Sequence, residues 1–309
     1  MKVLIEIPSW LGDSVMSTPA IENLMNYYNS AQVILVGSKE SIQLFFGHPR
    51  VEKTFVLMKE YRLLYILAKK LGHFDIFITF RGSLRSKFFK LIISSNRKFQ
   101  FRHELYPNRH QVKKYNDFIN DSLSTNFVLG ALKIYHKPLL VNKNTKPLVG
   151  INPGASYGDA KRWYPEAFAK VIRKLHSQYD VIIFGGPREK NIASDIEKFL
   201  INYGISNYEN LAGKTSISQL IDRISTLDLF ITGDSGPMHI AASFQVPTVS
   251  IFGPTNDKET SQWMNANSTI IKKNLQCQPC MKRTCPLKHH HCMSLIQSED
   301  VLKSISSIS

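Results

Sequence analysis

Short runs of β-branched and aromatic residues alternate with segments of helical periodicity along most of this chain. The apolar runs of the first half are K-V-L-I-E-I at 2–7, A-Q-V-I-L-V-G at 31–37, T-F-V-L at 54–57 and F-D-I-F-I-T-F at 74–80. The intervening segments, whose apolar residues recur three and four positions apart as in amphipathic helices, are 14–28, 38–48, 60–72 and 83–94. Strands that alternate with helices predict an α/β fold with a mostly parallel sheet.

The same pattern starts again after 137–147, a stretch without periodicity that we interpret as a connector. The second series of strands is P-L-V-G-I-N-P-G, Y-D-V-I-I-F-G-G, D-L-F-I-T-G-D-S and P-T-V-S-I-F-G-P. We therefore predict a Rossmann-like domain at 1–140, a second one at 148–297 and a short amphipathic C-terminal helix at 298–309. In such a pair of domains, ligands are expected at the carboxyl ends of the strands, in a central cleft.

Composition narrows the class of protein. With 309 residues, 43% hydrophobic and 20% charged, the chain has the make-up of an ordinary globular protein. Its first apolar run is too short for a signal peptide and no later run approaches membrane-spanning length, so we expect a cytoplasmic protein. The four cysteines all fall between Cys277 and Cys292, which indicates a local cluster in a reducing compartment rather than a disulfide framework.

The charge balance favours an anionic partner. The chain carries 39 Lys and Arg against 24 Asp and Glu, a formal net charge of +15, which attracts polyanions or an anionic membrane surface. The most basic stretch contains the single acid Glu104 and the bases Arg81, Arg85, Lys87, Lys90, Arg97, Lys98, Arg102, Arg109, Lys113 and Lys114. This stretch is either the footprint of a polyanion or a solvated surface. No helix-turn-helix, zinc-finger or RNA-recognition signature accompanies it, so we expect no nucleic-acid partner.

Asp13 is the first candidate catalytic residue. It follows the first predicted strand in the turn P-S-W-L-G-D-S at 8–14, at or near the start of a helix. A carboxylate there can accept the proton of an acceptor hydroxyl, which a sugar transfer with inversion requires. Alternatively, Asp13 caps the helix, because Asp is a preferred N-cap residue.

A second turn, G-D-S-G-P-M-H, suits a diphosphate. Backbone N–H groups at Ser235 and Gly236 would lie at a helix N-terminus, where phosphate binds favourably, and Pro237 presets the first helical turn. Asp234 would repel phosphate, so its expected role is to accept sugar hydroxyls. The alternative is that Asp234 and Ser235 only cap the helix.

Two further turns of the second series carry charge. The segment N-P-G-A-S, which ends at Ser156, precedes K-R-W-Y-P-E. In the latter, Lys161 or Arg162 either neutralises a departing diphosphate or is simply exposed to solvent. The turn G-G-P-R-E ends at Glu189, which either accepts ribose hydroxyls or is a favourable first-turn acid.

The absence of two nucleotide-binding motifs and the spacing of the cysteines bear on other classes of enzyme and on metal binding. No G-x-G-x-x-G follows the first strand and no G-x-x-x-x-G-K-[ST] occurs, which argues against dehydrogenases and P-loop enzymes. The cysteines, with three histidines inside their segment, are compatible with a structural metal site or with a metal-free loop shaped by prolines. They are Cys277, Cys280, Cys285 and Cys292. We assign no metal and no cofactor to the site.

Several motifs together resemble glycosyltransferase family 9, the ADP-heptose:lipopolysaccharide heptosyltransferases. They are G-D-S-V-M-S-T-P-A, N-P-G-A-S with K-R-W-Y-P-E, G-D-S-G-P-M-H and I-F-G-P-T, and they extend over nearly the whole chain. The cysteine-rich segment C-Q-P-C-M-K-R-T-C-P with H-H-C-M is similar to the heptosyltransferase II branch, which adds the second inner-core heptose.

The resemblance implies a GT-B fold, an acceptor bound mainly by the first domain and an ADP-heptose donor bound by the second. It implies inversion without a divalent cation, and a lipid A–inner core acceptor at the cytoplasmic membrane face, where the protein is peripheral. Matching positions imply that Asp13 is the base, Lys161 contacts the diphosphate and Glu189 binds ribose. The further substrate-binding residues are Ser156, Asp234, Ser235, Gly236, Met238 and His239.

Three other functions remain open at this point. Another GT-B transferase would use a different nucleotide sugar, and a sugar-nucleotide epimerase would turn over donor without an acceptor. A basic scaffold without enzymatic activity would bind polyanions with a steep salt dependence and release no ADP.

Overall fold

The computed structural model describes residues 1–136 and 146–308, within two compact units, Met1–Lys137 and Pro138–Ser309. The predicted connector 137–147 lies almost wholly outside the described residues, so the domain limits given above stay predictions. Within the described ranges, no helix is long and apolar enough to cross a membrane.

Parallel strands form the sheet of the first unit. In residues 1–136 they are β1 (Lys2–Glu6), β2 (Gln32–Gly37), β3 (Val51–Val56), β4 (His73–Thr79) and β5 (Ser94–Gln100). The helices are α1 (Leu11–Met16), α2 (Thr18–Tyr27), α3 (Tyr61–Leu71), α4 (Leu84–Ile92) and α5 (Gln111–Leu123). The strand order is β3-β2-β1-β4-β5. From β1 the chain adds strands first on one side of the sheet and then, starting with β4, on the other. Open α/β sheets bind ligands at this switch point between β1 and β4.

The second unit repeats this architecture with a wider sheet. Its strands in residues 146–308 are β6 (Leu148–Asn152), β7 (Asp180–Ile183), β8 (Tyr208–Asn210), β9 (Leu229–Gly233), β10 (Thr248–Ile251) and β11 (Ser268–Ile271). Its helices are α6 (Pro165–Leu175), α7 (Lys190–Asn202), α8 (Ile217–Ser225), α9 (Gly236–Ser243), α10 (Asp257–Thr260), α11 (His291–Ser294) and α12 (Ser298–Ile305). The strand order is β11-β10-β9-β6-β7-β8, and the pairings are parallel in both sheets, which confirms the predicted α/β class.

The central strands are apolar because helices cover both of their faces. Val3, Leu4 and Ile5 of β1 are completely buried, and every residue of β9 is buried. A strand buried on both sides has a continuous apolar run rather than an alternating one. Each run ends at the carboxyl edge of its sheet in polar residues, and those residues form the candidate site.

The structure corrects one predicted helix and adds elements that the sequence did not predict. Segment 38–48 contains only a 3₁₀ turn, Ser41–Phe45. There the Ser38 hydroxyl accepts a bond from the Ser41 backbone and donates to the Ser9 carbonyl, so local side-chain bonds compete with a longer helix. The elements without a predicted counterpart include β5, β8, β11 and α5. The three strands lie at sheet edges, and short or polar edge strands show little of the apolar pattern from which strands are predicted.

The predicted C-terminal helix exists as α12 and packs onto the second unit. Val301 and Ile305 are part of the core of that unit, and Asp300 pairs with Lys273 at 2.8 Å. The Trp163 indole donates to the Ile296 carbonyl at 3.0 Å, which ties the start of this segment to the loop before α6.

Candidate active site

Asp13 lies at the carboxyl edge of the first sheet, in the loop-to-helix transition that follows β1. The N-cap of α1 is Trp10, which makes no side-chain capping bond, so Asp13 is the third residue of the helix rather than its cap. A carboxylate in the first turn is stabilised by the helix dipole. The side chain of Asp13 is half-buried and lies close to Tyr115 of α5. The pKa of the Tyr115 hydroxyl is raised mainly because the hydroxyl is buried, and the negative charge of Asp13 raises it further.

A buried acid, Glu6, ends β1, the strand that precedes α1. Its Oε2 accepts a bond of 2.7 Å from the Thr79 hydroxyl and a short bond from the Ser86 hydroxyl, and its Oε1 lies 3.2 Å from Arg81 Nη1. Burial raises the pKa of Glu6, although the positive charge of Arg81 opposes the shift. The network fixes the Arg81 guanidinium at the carboxyl end of β4.

In the second unit, Lys161 and Asp234 form a buried ion pair. Lys161 Nζ lies 2.6 Å from Asp234 Oδ2 and 3.3 Å from the Asp234 carbonyl oxygen. The Thr255 hydroxyl donates to the same Oδ2 at 2.6 Å. The carboxylate follows β9 and the threonine follows β10; because these strands are neighbours, their ends meet at one edge. These contacts hold the Lys161 ammonium at the carboxyl end of β9.

Ser235 occupies the N-cap position of α9, but its side chain belongs to a polar cluster and makes no capping bond. Its hydroxyl lies 3.0 Å from the Thr232 hydroxyl and accepts a bond of 3.2 Å from the Asn152 amide. The same amide donates to Thr232 at 3.1 Å, so the cluster joins the ends of β6 and β9. As the N-cap of α9, Ser235 makes no side-chain bond to the first-turn N–H groups.

The other predicted donor contacts lie in the first turn of α9. Gly236 is half-buried, whereas the side chains of Met238 and His239 are at most 2% exposed. Neither side chain is open to solvent, so a contact of Met238 or His239 with a donor stays a prediction. The helix start fits an anion, because its first N–H groups have no intrahelical acceptor.

Glu189 and Ser156 are placed differently. Glu189 ends a 3₁₀ turn, Pro187–Glu189, after β7, and its Oε2 accepts a bond of 2.6 Å from the Gly186 backbone. A β-carbon on Gly154 would approach the Glu189 carboxylate oxygens to 2.5 Å, so the glycine is required for this close packing. Glu189 is buried against the loop after β6, and Ser156 is exposed in that same loop.

The cysteine-rich segment packs against the loop that carries Lys161. The Tyr157 hydroxyl donates to the Met281 carbonyl at 2.7 Å, and the Ala160 backbone donates to the Arg283 carbonyl at 3.1 Å. Two cations lie over the Tyr157 ring, with Lys161 Nζ at 4.8 Å and the Arg283 guanidinium at 5.3 Å from its centroid. The segment thus supports the position of Lys161 from outside the sheet.

All four cysteines are free thiols. Burial, followed by the nearby charges of the other three cysteines, raises the pKa of Cys292 to about 11. Among the residues that the structure describes, no group of three or more His, Cys, Asp or Glu side chains is arranged to hold a metal ion.

The basic stretch from Arg81 to Lys114 does not form one surface. Lys98 Nζ donates to carbonyls at the end of α4, at 2.9 and 3.3 Å, and Arg109 forms an ion pair with an acid of α5. Lys114 is 1% exposed, with its Nζ 3.1 Å from His103 Nε2. Part of this charge therefore serves internal contacts, which leaves fewer bases for a polyanion than the sequence suggests.

Sequence reasoning missed four residues of these two edges: Thr255, Thr232, Glu6 and Tyr115. The two threonines follow or end apolar strands, and that position was a usable signal. Glu6 is a lone acid in a buried run, which predicts a paired charge. Tyr115 belongs to a helix that only the tertiary structure brings beside Asp13.

Comparisons with known proteins identify the family of this chain. A family model described as glycosyltransferase family 9 (heptosyltransferase) matches residues 133–291. Lipooligosaccharide heptosyltransferase 2 of Campylobacter jejuni is 40% identical over all of this chain and 98% of its own length. The corresponding enzyme of Haemophilus influenzae is 28% identical over 88% of each chain.

Solved structures show the same fold. The E. coli ADP-heptose LPS heptosyltransferase II superposes with a TM-score of 0.82 at 21% identity, over 100% of this chain and 98% of that one. An E. coli heptosyltransferase solved with ADP gives a TM-score of 0.79 at 16% identity, over 100% of both chains. The two Rossmann-like units are therefore those of a GT-B enzyme, and this chain belongs to glycosyltransferase family 9, the heptosyltransferase family.

Proposed function

We propose that this chain transfers heptose, with inversion, from ADP-L-glycero-D-manno-heptose to a hydroxyl of the lipid A–inner core oligosaccharide at the cytoplasmic membrane face. The observation that carries the proposal is the Lys161–Asp234 pair beside the start of α9. The names of the Campylobacter and Haemophilus relatives support the acceptor class. A neighbour solved with ADP-2-deoxy-2-fluoro heptose supports the donor.

The donor's diphosphate needs positive charge from the protein. Lys161 and the first-turn N–H groups of α9 supply it, and they stabilise the charge that develops on ADP as the sugar departs. Asp234, held by Lys161 and Thr255, orients the ammonium and accepts donor hydroxyls. Glu189 takes the ribose hydroxyls in this scheme.

Asp13 is the general base. Its carboxylate takes the proton from an acceptor hydroxyl while that oxygen attacks the anomeric carbon on the face opposite ADP. The bond between the anomeric carbon and the diphosphate oxygen breaks in the same step, so ADP leaves with the electron pair and the sugar configuration inverts. The Arg81 guanidinium, at the carboxyl end of β4, contributes to holding the acidic acceptor in this scheme.

The test is ADP release from purified enzyme with ADP-heptose, with and without core lipopolysaccharide truncated after the first heptose. We expect release that requires the acceptor, persists in EDTA, and gives a product whose anomeric configuration by NMR is opposite to that of the donor. Release without acceptor, as from an epimerase or hydrolase, contradicts the proposal. Faster turnover of UDP- or GDP-sugars in a donor panel would contradict the assigned donor.

A further inference from the structure

The outward face of α3 and α4 exposes large apolar side chains. Inward residues of the two helices, among them Leu64 and Phe89, pack in the core of the first unit. On the outside, Ile66 is 50% exposed, and Leu84 and Leu91 are each 76% exposed. Tyr61 and Tyr65 are also about half exposed, at 51% and 49%, and the Tyr61 ring packs edge-on against Phe88, so the helices form one continuous surface.

The charge on this face has one sign. The sequences of α3, Y-R-L-L-Y-I-L-A-K-K-L, and of α4, L-R-S-K-F-F-K-L-I, contain basic residues and no acid. Arg62, Lys69 and Lys70 are exposed on α3, and the nearest acid in the chain is Glu60, which precedes that helix. Burial lowers the pKa of Lys90 on α4, and the positive charges of Arg102 and Lys98 add to this shift.

Helices of the second unit provide an internal contrast. The exposed side of α6 carries the ion pair Lys170–Glu166 at 2.9 Å, and that of α7 carries Lys198–Asp195 at 2.8 Å. Such mixed charge is typical of a face in contact with water. The α3–α4 face instead combines leucine, isoleucine and tyrosine with lysine and arginine, the composition of helices that lie in a membrane interface.

We propose that the outward face of α3 and α4 docks on an anionic lipid bilayer. Leu84, Leu91 and Ile66 enter the boundary between headgroups and acyl chains, the tyrosines lie at headgroup level, and the bases contact lipid phosphates. A second copy of the chain is a poorer occupant, because a two-fold contact would bring this acid-free basic face against itself. The surface adjoins the acceptor edge of its own unit, since α4 supplies Ser86 to the Glu6–Arg81 network.

Docking on a bilayer would bring the enzyme of the proposed function to its lipid-linked acceptor. The test of docking measures vesicle binding and does not require heptose transfer. Flotation of the full chain is measured with vesicles of phosphatidylcholine plus phosphatidylglycerol and with phosphatidylcholine alone. We expect clear binding only to the anionic vesicles. Leu84→Ser with Leu91→Ser should weaken it by about tenfold or more, because each leucine loses part of its burial in lipid. The matched control is Val128→Ser with Ile201→Ser, at positions 86% and 66% exposed elsewhere.

The charge contribution is tested separately with Lys69→Gln and Lys70→Gln together. This pair should weaken anionic-vesicle binding on the order of tenfold, whereas Lys170→Gln with Lys198→Gln should leave it close to wild type. All four variants should keep wild-type turnover on a soluble, delipidated acceptor.

If the wild type binds neutral vesicles equally well, or if the control variants lose as much binding, the proposed docking surface is wrong. It is also wrong if Leu84→Ser with Leu91→Ser dissolves an oligomer and leaves vesicle binding unchanged. Vesicle binding without heptose transfer would overturn the proposed function alone.

Discussion

The first turn of α1 separates two explanations of Asp13. Trp10 occupies the N-cap position, so Asp13 is a first-turn acid and not the N-cap residue. Asp13→Asn preserves its size and removes about 0.3–1 kcal/mol of dipole stabilisation at most, whereas loss of a general base lowers kcat by about 10²–10⁴-fold. We expect a nearly unchanged melting temperature, a large loss of kcat and retained donor binding. Glu166→Gln, at another first-turn acid, is the control that should remain active; a folded Asp13→Asn enzyme with near-normal kcat would remove Asp13 from the mechanism.

The Lys161–Asp234 pair has a structural and a catalytic component, which a double-mutant design resolves. Lys161→Ala leaves a buried carboxylate that, among the described residues, keeps the Thr255 hydroxyl as its side-chain partner, so we expect a loss of about 3 kcal/mol in unfolding free energy and a severe loss of turnover. Adding Asp234→Asn should restore most of the stability because the uncompensated charge is gone. If Lys161 contacts the diphosphate, the double variant must turn over more slowly than Asp234→Asn alone. Equal rates would mean that Lys161 serves only to hold Asp234.

Because Glu6 is buried, it should make the stability of the protein depend on pH. Its pKa is raised in the folded protein by burial, so the folded state binds this proton more tightly than the unfolded chain does. The resulting stabilisation is fully present below the unfolded pKa and is lost as pH rises through the folded pKa. Compared with Glu6→Gln, the wild type should therefore gain melting temperature as pH falls from neutral towards 4.5, the ordinary value. A difference between the two melting curves that does not change with pH would contradict the raised pKa.

At the scale of elements, the sequence predicted those whose pattern is local. The buried strands β1, β4, β9 and β10 were predicted because they are continuous apolar runs, and so were the amphipathic helices α3 and α4. The edge strands β5 and β8 were not, because residues such as those of S-S-N-R-K-F-Q pack on one neighbour and are half exposed. The turns at Asp13, Lys161 and Asp234 were found for a related reason: each polar turn ends a recognisable strand. The partners Tyr115 and Thr255 depend on which elements become neighbours, and that information is tertiary.

The cysteine-rich segment supports a prediction of its own. Because burial and the neighbouring cysteines raise the pKa of Cys292 to about 11, very little of this thiol is ionised at neutral pH. Peptide mapping after iodoacetamide treatment should show that Cys292 is alkylated last and that its rate rises up to about pH 11. Cys280, which is partly exposed, serves as the internal reference for rapid modification. Alkylation of Cys292 as fast as that of Cys280 at pH 7 would contradict this environment.

At the scale of the whole molecule, the net charge of +15 acts on every anionic substrate before contact. What the sequence could not give is where the charge is available, since Lys98 and Lys114 are occupied by internal contacts. Arg102 is exposed just beyond the carboxyl end of β5, at the edge where ligands of such sheets bind, whereas Arg97 is exposed in the middle of that strand. The two positions allow the same charge change to be compared on and off the ligand edge.

We therefore expect Arg102→Glu to raise the acceptor KM more than Arg97→Glu does, with donor KM close to wild type in both. For the wild type, kcat/KM towards a phosphorylated acceptor should fall by about tenfold or more between low and molar salt, because screening removes the long-range attraction. A dephosphorylated acceptor is the control, and its kcat/KM should fall less steeply. The readout is initial rate against acceptor concentration at each salt concentration. Parallel salt curves for the two acceptors, or equal effects of the two arginine variants, would show that the enzyme does not recognise acceptor charge at this edge of the first sheet.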